Sequence, residues 1–428
     1  MKNRAKGRVP EQAGAGLLFT AQQLLLPMIE GLVHSRRELF AWVQQVGISA
    51  LNQLFELDAV ELAGPQGKHS STRSHYRWGS AQIALPFGGR QIVVPCPRVR
   101  GVDGGEAHLK SIAQFRASDP VPARVLNQVL LGVSTRGYGK SLEPLPAEIV
   151  ARGASKSAAS RHLIARMTDK LHEQLRHRLD DLDLLVLLVD GIEVAHRTVV
   201  VALGILTDGR KVVLGLWLGS TENAVLCTAL LNDLLERGLK VEGRILCVID
   251  GGRGIRKALG DVFGDLAVVQ RCMVHKRRNL LEHLPPHRKA YVTRMLSAAW
   301  NSETAQLARR RLRTLLHWLE HNGENGAAAS LREGMEETLT VSKLALPASL
   351  RTFLVTTNAI ENLIGSARRT SRNVTRWRSG QMIVRWTGVG LIHAEQNFRR
   401  VRGYRNLPLL KRALRAESLK LDLAEEAA

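Results

Sequence analysis

Apolar residues change their spacing several times along the chain, and each spacing predicts a different element. After a polar start, Gln22 to Phe55 carries apolar side chains at helical intervals, with Leu25, Ile29 and Leu32 on one face. Lys68 to Arg77 is polar and predicts a loop. Ala81 to Pro86 and Gln91 to Pro95 then predict two short strands joined at Phe87-Gly88-Gly89 as a hairpin. The second strand is expected to stop at Pro95-Cys96-Pro97, leaving Arg98 and Arg100 either in a solvated loop or against phosphate. Between Pro122 and Leu179 helical spacing takes over. Val121 to Leu131 ends at Gly132, Ser134 can cap a second helix to Glu143, and Ser155 or Ser157 can open a third. This order predicts a helix-turn-helix-like region presenting Lys156, Ser157, Ser160 and Arg161 to DNA, with a plain helical connector as the alternative.

From Leu184 the spacing disappears into an unbroken aliphatic run, Leu184 to Val189, followed by Asp190-Gly191. A run that short and that apolar predicts a strand buried on both faces. The pattern recurs at Arg244 to Ile249, followed by Asp250-Gly251-Gly252. Between the two, Val199 to Leu206 and Lys211 to Leu218 predict strands joined by a tight Asp208-Gly209 turn. Ser220-Thr221-Glu222-Asn223 then opens a helix with Leu226, Leu230, Leu231 and Leu234 on one face and Gly238 as its stop. Leu266 to Gln270 follows as a fifth strand. Three antiparallel strands, a helix, and two more strands separated by a helix is the order of a ribonuclease H-like α/β sheet. In that order the fourth strand lies beside the first, so Asp190 and Asp250 become neighbours.

Arg277 to Ser349 breaks the pattern: Ala308, Leu312, Leu315, Leu316 and Leu319 at helical spacing, closed by Gly323, predict an all-helical insertion. After it, Thr356-Thr357-Asn358 is an N-cap cluster, and Ile360, Leu363, Ile364 and Ala367 form an apolar stripe with Glu361 on the opposite side.

Composition narrows the partner. The chain of 428 residues is 45% hydrophobic, enough for two to four domains, and carries 61 Lys plus Arg against 39 Asp plus Glu, a formal charge of +22. That excess predicts a polyanionic partner, above all nucleic acid. The charge is concentrated late: Gly365 to Arg415 holds thirteen basic residues, among them Arg368, Arg369, Arg372 and Arg376, and one acid, Glu395. Four cysteines without a C-x-x-C pair fit a reduced cytosolic protein. No apolar run suggests a signal peptide or a membrane span, so a soluble, cytoplasmic, nucleoid-associated protein is expected.

Two strand-terminal aspartates and a helix-borne glutamate are the donor set that phosphodiester chemistry uses. Two divalent ions about 3.5–4 Å apart activate a nucleophilic oxygen, stabilise the leaving oxygen and offset phosphate charge. Oxygen donors suit Mg²⁺ or Mn²⁺. Asp190 would bridge both ions, Asp250 would hold one and Glu361 the other. Glu361, Gly365 and Arg368 share a helix face, where glycine admits a DNA backbone and Arg368, Arg369 or Arg372 meets its phosphates; a simple Glu361 to Arg368 surface pair is the alternative.

Val189-Asp190-Gly191, Gly219 to Asn223, Ile249-Asp250-Gly251, Gln270-Arg271-Cys272-Met273-Val274-His275-Lys276-Arg277-Arg278-Asn279 and Thr356 to Asn362 together resemble the Mutator-type DDE transposases of bacterial insertion sequences. The likeness runs from about Val133 onward. It implies a ribonuclease H-like catalytic core with Asp190, Asp250 and Glu361 as the metal-binding triad, and a helical insertion between the second and third acids. It also implies that Cys272 and His275, a C-x-x-H pair, lie near the active site. His283 and His287 extend that pair toward a zinc set, but Pro285 and Pro286 interrupt it, and the basic Lys276 and Arg277 beside it fit phosphate better. Trp300 is expected in a helical core rather than stacked on a base.

The resulting reading is a transposase that binds terminal inverted repeats as a homodimer or larger assembly on double-stranded DNA, cleaves with two Mg²⁺ or Mn²⁺ ions and joins strands. A catalytically inactive DNA-binding regulator and a structure-selective nuclease are the alternatives. The expected domains are an N-terminal helical region with a short β-hairpin (1–116), a helical DNA-binding region (117–182), the catalytic core (183–279 and 350–415) and the all-helical insertion (280–349).

Overall fold

The computed structural model describes the backbone of residues 36–68, 73–117 and 119–425, and side chains within 42–68, 73–116 and 119–416. Leu25, Ile29 and Leu32 lie outside the described residues. The chain divides into two compact units, one of residues up to 128 together with 133–163, the other of 129–132 and 164 onward.

In the first unit, helix α1 (Arg36–Ala63) is followed by a long antiparallel pair, β1 (His75–Phe87) and β2 (Arg90–Gly101). Gly88 and Gly89 turn the hairpin with φ of 57° and 87°, values that glycine adopts without strain. Both strands outrun their sequence patterns. β1 starts at His75, inside the stretch expected to be a loop, and β2 continues through Pro95 and Pro97 to Gly101. The prolines are tolerated because β2 has a second neighbour only at its ends, β3 (Glu106–Ala107) beside Val99 and Arg100 and β4 (Ala151–Arg152) beside Gln91 and Ile92. Arg98 and Arg100 therefore sit in a strand rather than a loop: Arg98 forms a two-bonded pair with Glu106 at 2.8 Å, and Arg100 stacks over Trp78. Phe55 and Ala59 of α1 pack with Leu85, Ile92, Val94 and Val99 in the core of this unit.

The expected helix-turn-helix-like region is only partly realised. Helix α2 (Lys110–Ala117) precedes α3 (Val121–Leu130), and α4 (Lys156–Arg176) opens as expected, with Ser155 Oγ accepting from Ala158 N. The middle helix from Ser134 to Glu143 does not form; turns and a single 3₁₀ turn at Gly139–Ser141 take its place. Gly132, Gly137 and Gly139 weaken any helix there, and Pro144 and Pro146 close it off. Ser134 Oγ instead accepts from Gly137 N within a turn.

The second unit is a mixed α/β structure around a five-stranded sheet. Strands β5 (Leu184–Val194), β6 (Arg197–Leu206) and β7 (Lys211–Gly219) form an antiparallel meander. Helix α5 (Ala224–Glu236) then carries the chain to β8 (Ile245–Ile249), parallel to β5, and α6 (Arg253–Phe263) to β9 (Ala267–Arg271), parallel to β8. The strand order is β7-β6-β5-β8-β9. Side chains alternate across this sheet. Leu187 and Val189 of β5 pack with Leu230 and Leu234 of α5 and Ile255 and Leu259 of α6. Val186 and Leu188 face the other way, into a core shared with Leu171 of α4 and with Ile360, Leu363 and Ile364. Helices on both faces are what an unbroken aliphatic strand requires.

Between β9 and residue 354 the chain is helical: α7 (Met273–Glu282), α8 (Pro286–Trp300), α9 (Ala305–His321), α10 (Asn325–Arg332), α11 (Thr340–Lys343) and α12 (Ala348–Leu354). The stretch from α7 to Leu339 has its own core, built on Leu280, Leu296, Leu312, Leu315, Leu319 and Leu331. Trp300 packs against that core and donates its indole N–H to Thr338 Oγ1 at 3.3 Å, as expected of a core tryptophan. Helices α13 (Asn358–Thr370), α14 (Gly380–Glu395) and α15 (Leu407–Glu425) return to the sheet. Among the described residues, no helix is long and apolar enough to cross a membrane.

Candidate active site

Strand register sets the first two acids side by side. Val189 of β5 pairs with Ile249 of β8, so Asp190 and Asp250 occupy successive positions on adjacent parallel strands, whose spacing is about 4.8 Å. β5 runs on through Asp190 to Val194, so Asp190 is not the strand-terminal residue its sequence suggests: its Oδ1 accepts from Gly191 N at 2.9 Å within the strand, whereas Asp250, just past β8, holds a turn with Oδ1 accepting from Gly252 N at 2.8 Å. The Asp250 turn is also braced from behind. Gly251 has a φ of 108°, Arg271 donates to its carbonyl at 3.1 Å, and a β-carbon at Gly251 or at Gly334 would overlap the Arg271 guanidinium.

The pair is electrostatically unbalanced. Partial burial and the neighbouring charge of Asp250 push the Asp190 carboxyl up to about 7, against the Gly191 N–H and His275, with Glu222 adding to the rise. A partly buried carboxyl whose ionisation is opposed by a neighbouring carboxylate is a group that a cation would stabilise. The all-oxygen donor set suits a hard divalent ion.

Glu361 arrives from α13 and joins a second cluster. Ligand atoms of Cys272, His275 and Glu361 lie within 4.8 Å of one another, and the aspartates are not members of that group. Thr357 ties it together. Its hydroxyl donates to Glu361 Oε1 at 2.6 Å, lies 3.2 Å from His275 Nδ1 and 3.3 Å from Cys272 Sγ, while its backbone N–H points at the same sulfur from 3.4 Å. The cluster around Thr356-Thr357-Asn358 thus starts the helix without the expected side-chain cap, because the Thr357 hydroxyl is used by Glu361. His275 Nδ1 is 3.8 Å from Glu361 Oε1, and Glu361 pairs there rather than with Arg368.

Burial would raise the Cys272 thiol, but hydrogen bonds from His275 and Thr357 outweigh it and lower the pKa. His275 moves the other way, raised by its bond to Cys272 against burial, with Glu361 and Asp250 contributing. These are the directions of a thiolate beside an imidazolium. His275 feels Asp250 and acts on Asp190, so it links the aspartate pair to the Glu361 cluster. His283 and His287 take no part in that cluster: His283 ends α7, and Pro286 begins the helix that carries His287.

The basic residues separate into two kinds. Arg368, Arg369, Arg372 and Arg376 are exposed, as are Lys156 and Arg161 in the other unit, and Arg277 is half-buried. Lys276 is different. It is 1% exposed, its ammonium donates to the Glu333 carbonyl, and burial with the Arg271 charge lowers its pKa to about 8. The expectation that Lys276 meets phosphate is corrected by the helix face it occupies, since Met273, Lys276 and Leu280 form the buried stripe of α7.

Two residues carry more than their sequence context suggests. Thr357 is the hub of the Glu361 cluster, and Glu222, in sequence only part of a helix start, lays its carboxylate against Gly191 of β5 and Gly252 past β8. A β-carbon on Gly191 would overlap Glu222 Oε2, and one on Gly252 would lie 2.8 Å from Oε1. Partial desolvation and the charge of Asp250 raise the Glu222 pKa.

Comparison with known proteins gives a consistent family. The profile described as Transposase, Mutator family matches residues 34–401. The chain is 28% identical over 309 residues to the transposase for insertion sequence element ISRM3 of Rhizobium meliloti (strain 1021), covering 69% of this chain and 73% of that protein. It is 24% identical over 331 residues to the transposase for IS256 in transposon Tn4001 of Staphylococcus aureus, covering 75% and 82%. With the transposase for ISRM5 of Rhizobium meliloti (strain 1021) it shares 26% identity over 413 residues, 91% of this chain and 94% of the other.

Proposed function

Because the chain belongs to the Mutator family of transposases, we propose that it recognises the terminal inverted repeats of its element, nicks DNA and joins the freed 3′-hydroxyl to a target phosphodiester. Asp190, Asp250 and Glu361 are the proposed acidic triad, in a ribonuclease H-like core formed by 183–279 and 350–415 and interrupted by the helical insertion 280–349. The observation that supports this reading is the register of β5 and β8, which sets Asp190 within β5 beside Asp250 just past β8, while Glu361 stands in a cluster with His275.

Two Mg²⁺ or Mn²⁺ ions, when bound, would supply water activation and stabilisation of the leaving oxygen. The protein's own part is to hold and orient. Asp190 presents its carboxylate from within β5 and Asp250 from the end of β8, and Thr357 fixes the Glu361 carboxylate by a hydrogen bond of 2.6 Å. His275, whose pKa is raised above all by its hydrogen bond to Cys272, stands 3.8 Å from Glu361 Oε1, where a protonated ring would offset negative charge. Arg368, Arg369, Arg372 and Arg376 offer exposed cations for the DNA backbone, and Arg277 follows the cluster in sequence. Lys156 and Arg161 add contacts from the DNA-binding region 117–182, which follows the N-terminal region 1–116. Strand exchange needs both element ends held together, which calls for a homodimer or larger assembly on DNA.

The test is incubation with DNA carrying the ends of the element and Mg²⁺. Nicked and joined products are expected, lost in D190A, D250A and E361A while end binding persists. Nicking without joining would favour a nuclease, and end binding without nicking a regulator.

A further inference from the structure

Arg271 ends β9 with a charged side chain that is only 7% exposed, and no step of the proposed reaction uses it. We propose that Arg271 is a positioning residue for strand cleavage, fixing the Asp250 turn against both the sheet and the helical insertion. The inference rests on the reading of Asp250 given under the proposed function.

The backbone around Asp250 is the first argument. Ile249 pairs with Arg271 across β8 and β9, and Cys272 N donates to Ile249 O at 2.7 Å. On the other side of Asp250, Arg271 Nη2 donates to Gly251 O at 3.1 Å. The carbonyls of the residues before and after the aspartate are therefore both held from positions 271 and 272. The bond from Gly252 N to the Asp250 carboxylate is made within that frame.

The fit of the guanidinium is the second. It lies between two glycines of positive φ, Gly251 at 108° and Gly334 at 68°, and a β-carbon on either would overlap it. Gly334 belongs to the insertion, just past α10, and Oε2 of its neighbour Glu333 stands 3.4 Å from Arg271 Nη2. Lys276 donates to the Glu333 carbonyl, so the part of the insertion that meets Arg271 is itself tied to α7. A displacement of the insertion there reaches Asp250 through one side chain.

Energetics are the third. Arg271 Nε is buried without a hydrogen-bond partner among the described residues, and the carboxylate paired with the guanidinium is 48% exposed. A buried charge with one nitrogen unsatisfied and a half-solvated partner returns little stability. An unbranched apolar side chain would fill the space as well. What it would lack is the donor that holds the Gly251 carbonyl.

The experiment compares R271M and R271K with wild type in the full-length protein. Without DNA or metal, hydrogen exchange at the Gly252 N–H should speed up about 10-fold or more in R271M, while β5 and β6 keep their protection. Its thermal unfolding should fall by no more than about 3 °C, because the partner Glu333 can turn to water. On DNA carrying the element ends with Mg²⁺, nicking at saturating DNA should slow about 10–100-fold, with end affinity within about twofold of wild type. R271K keeps the charge without the planar fork and should fall between the two. In R271A, added guanidinium should restore nicking beyond sodium at equal ionic strength. Nicking within about twofold of wild type in both R271M and R271K would overturn the role of Arg271 and leave Asp250 its own. A loss of rate matched by a loss of end affinity and by general loss of protection would also overturn it, because Arg271 would then serve the fold alone. R271K decides the matter if R271M does not fold. Element ends left intact by wild type would overturn the proposed function itself, and this inference with it.

Discussion

Replacing Asp190 with asparagine should stabilise the cation-free protein while removing a cation ligand. In the folded chain partial burial and Asp250 carry the Asp190 carboxyl from 3.8 to about 7. That rise of roughly three pH units, at ~1.4 kcal/mol each, bounds the cost of ionising Asp190 in the fold at ~4 kcal/mol. Because the folded pKa lies above the unfolded one, the contribution of this group to stability is fully present below about pH 4 and is lost as pH rises through about 7. Asparagine does not titrate, so it removes the slope. Urea denaturation in chelator at about pH 5 and about pH 8 measures the effect: the advantage of D190N over wild type should grow by about 2 kcal/mol or more between the two. The amide oxygen of asparagine can still accept from Gly191 N, so exchanging the charged acceptor for a neutral one subtracts at most about 1 kcal/mol at both. Adding Mn²⁺ should reverse the order, since only wild type gains binding energy. An advantage of D190N that stays flat with pH, or a wild type that is the more stable at pH 8 without metal, would refute the reasoning.

Gly254→Ala should cost about 1–3 kcal/mol in urea denaturation, because the new methyl meets backbone of Asn223 and Ala224 rather than a movable side chain. Cys272→Ala strips the acceptor used by Thr357 N and should cost about 1–3 kcal/mol, with Cys272→Ser retaining most of the stability; equal stabilities would remove the sulfur from its structural role. Lys276→Met should leave DNA affinity unchanged, whereas Arg369→Ala and Arg372→Ala should each weaken binding and lower the slope of log affinity against log salt by about 1, measured by fluorescence anisotropy.

How much the sequence reveals depends on whether the physics is local. That Asp190 and Asp250 lie beside each other is legible because each follows an aliphatic run buried on both faces and the sheet register follows from element order, although β5 runs on past Asp190 to Val194. Family resemblance supplies Cys272 and His275 and agrees with their position beside Glu361. Charge alone mispredicts Lys276, although Met273, Lys276 and Leu280 at helical spacing carry the signal of a buried face. One capping residue mispredicts the helix from Ser134, where three glycines and two prolines argue otherwise. Prolines cut β2 short in sequence because an edge position is a property of the sheet, not of the strand. The surroundings of Glu222 and Thr357 leave no local trace at all: the first lies against glycines of β5 and the loop after β8, and the second meets a sulfur 85 positions away.

That last bond has a topological consequence. Met273 N donates to Val355 O at 3.0 Å and Thr357 N reaches Cys272 Sγ at 3.4 Å, so the polypeptide leaves the sheet and re-enters it through nearly the same doorway. The stretch from α7 to Leu339, with a core of its own, makes up most of a detour whose two mouths already touch. Its length and content can therefore drift, or be exchanged wholesale, with little entropic penalty at the junction, while the hinge of sulfur, threonine and glutamate stays in register.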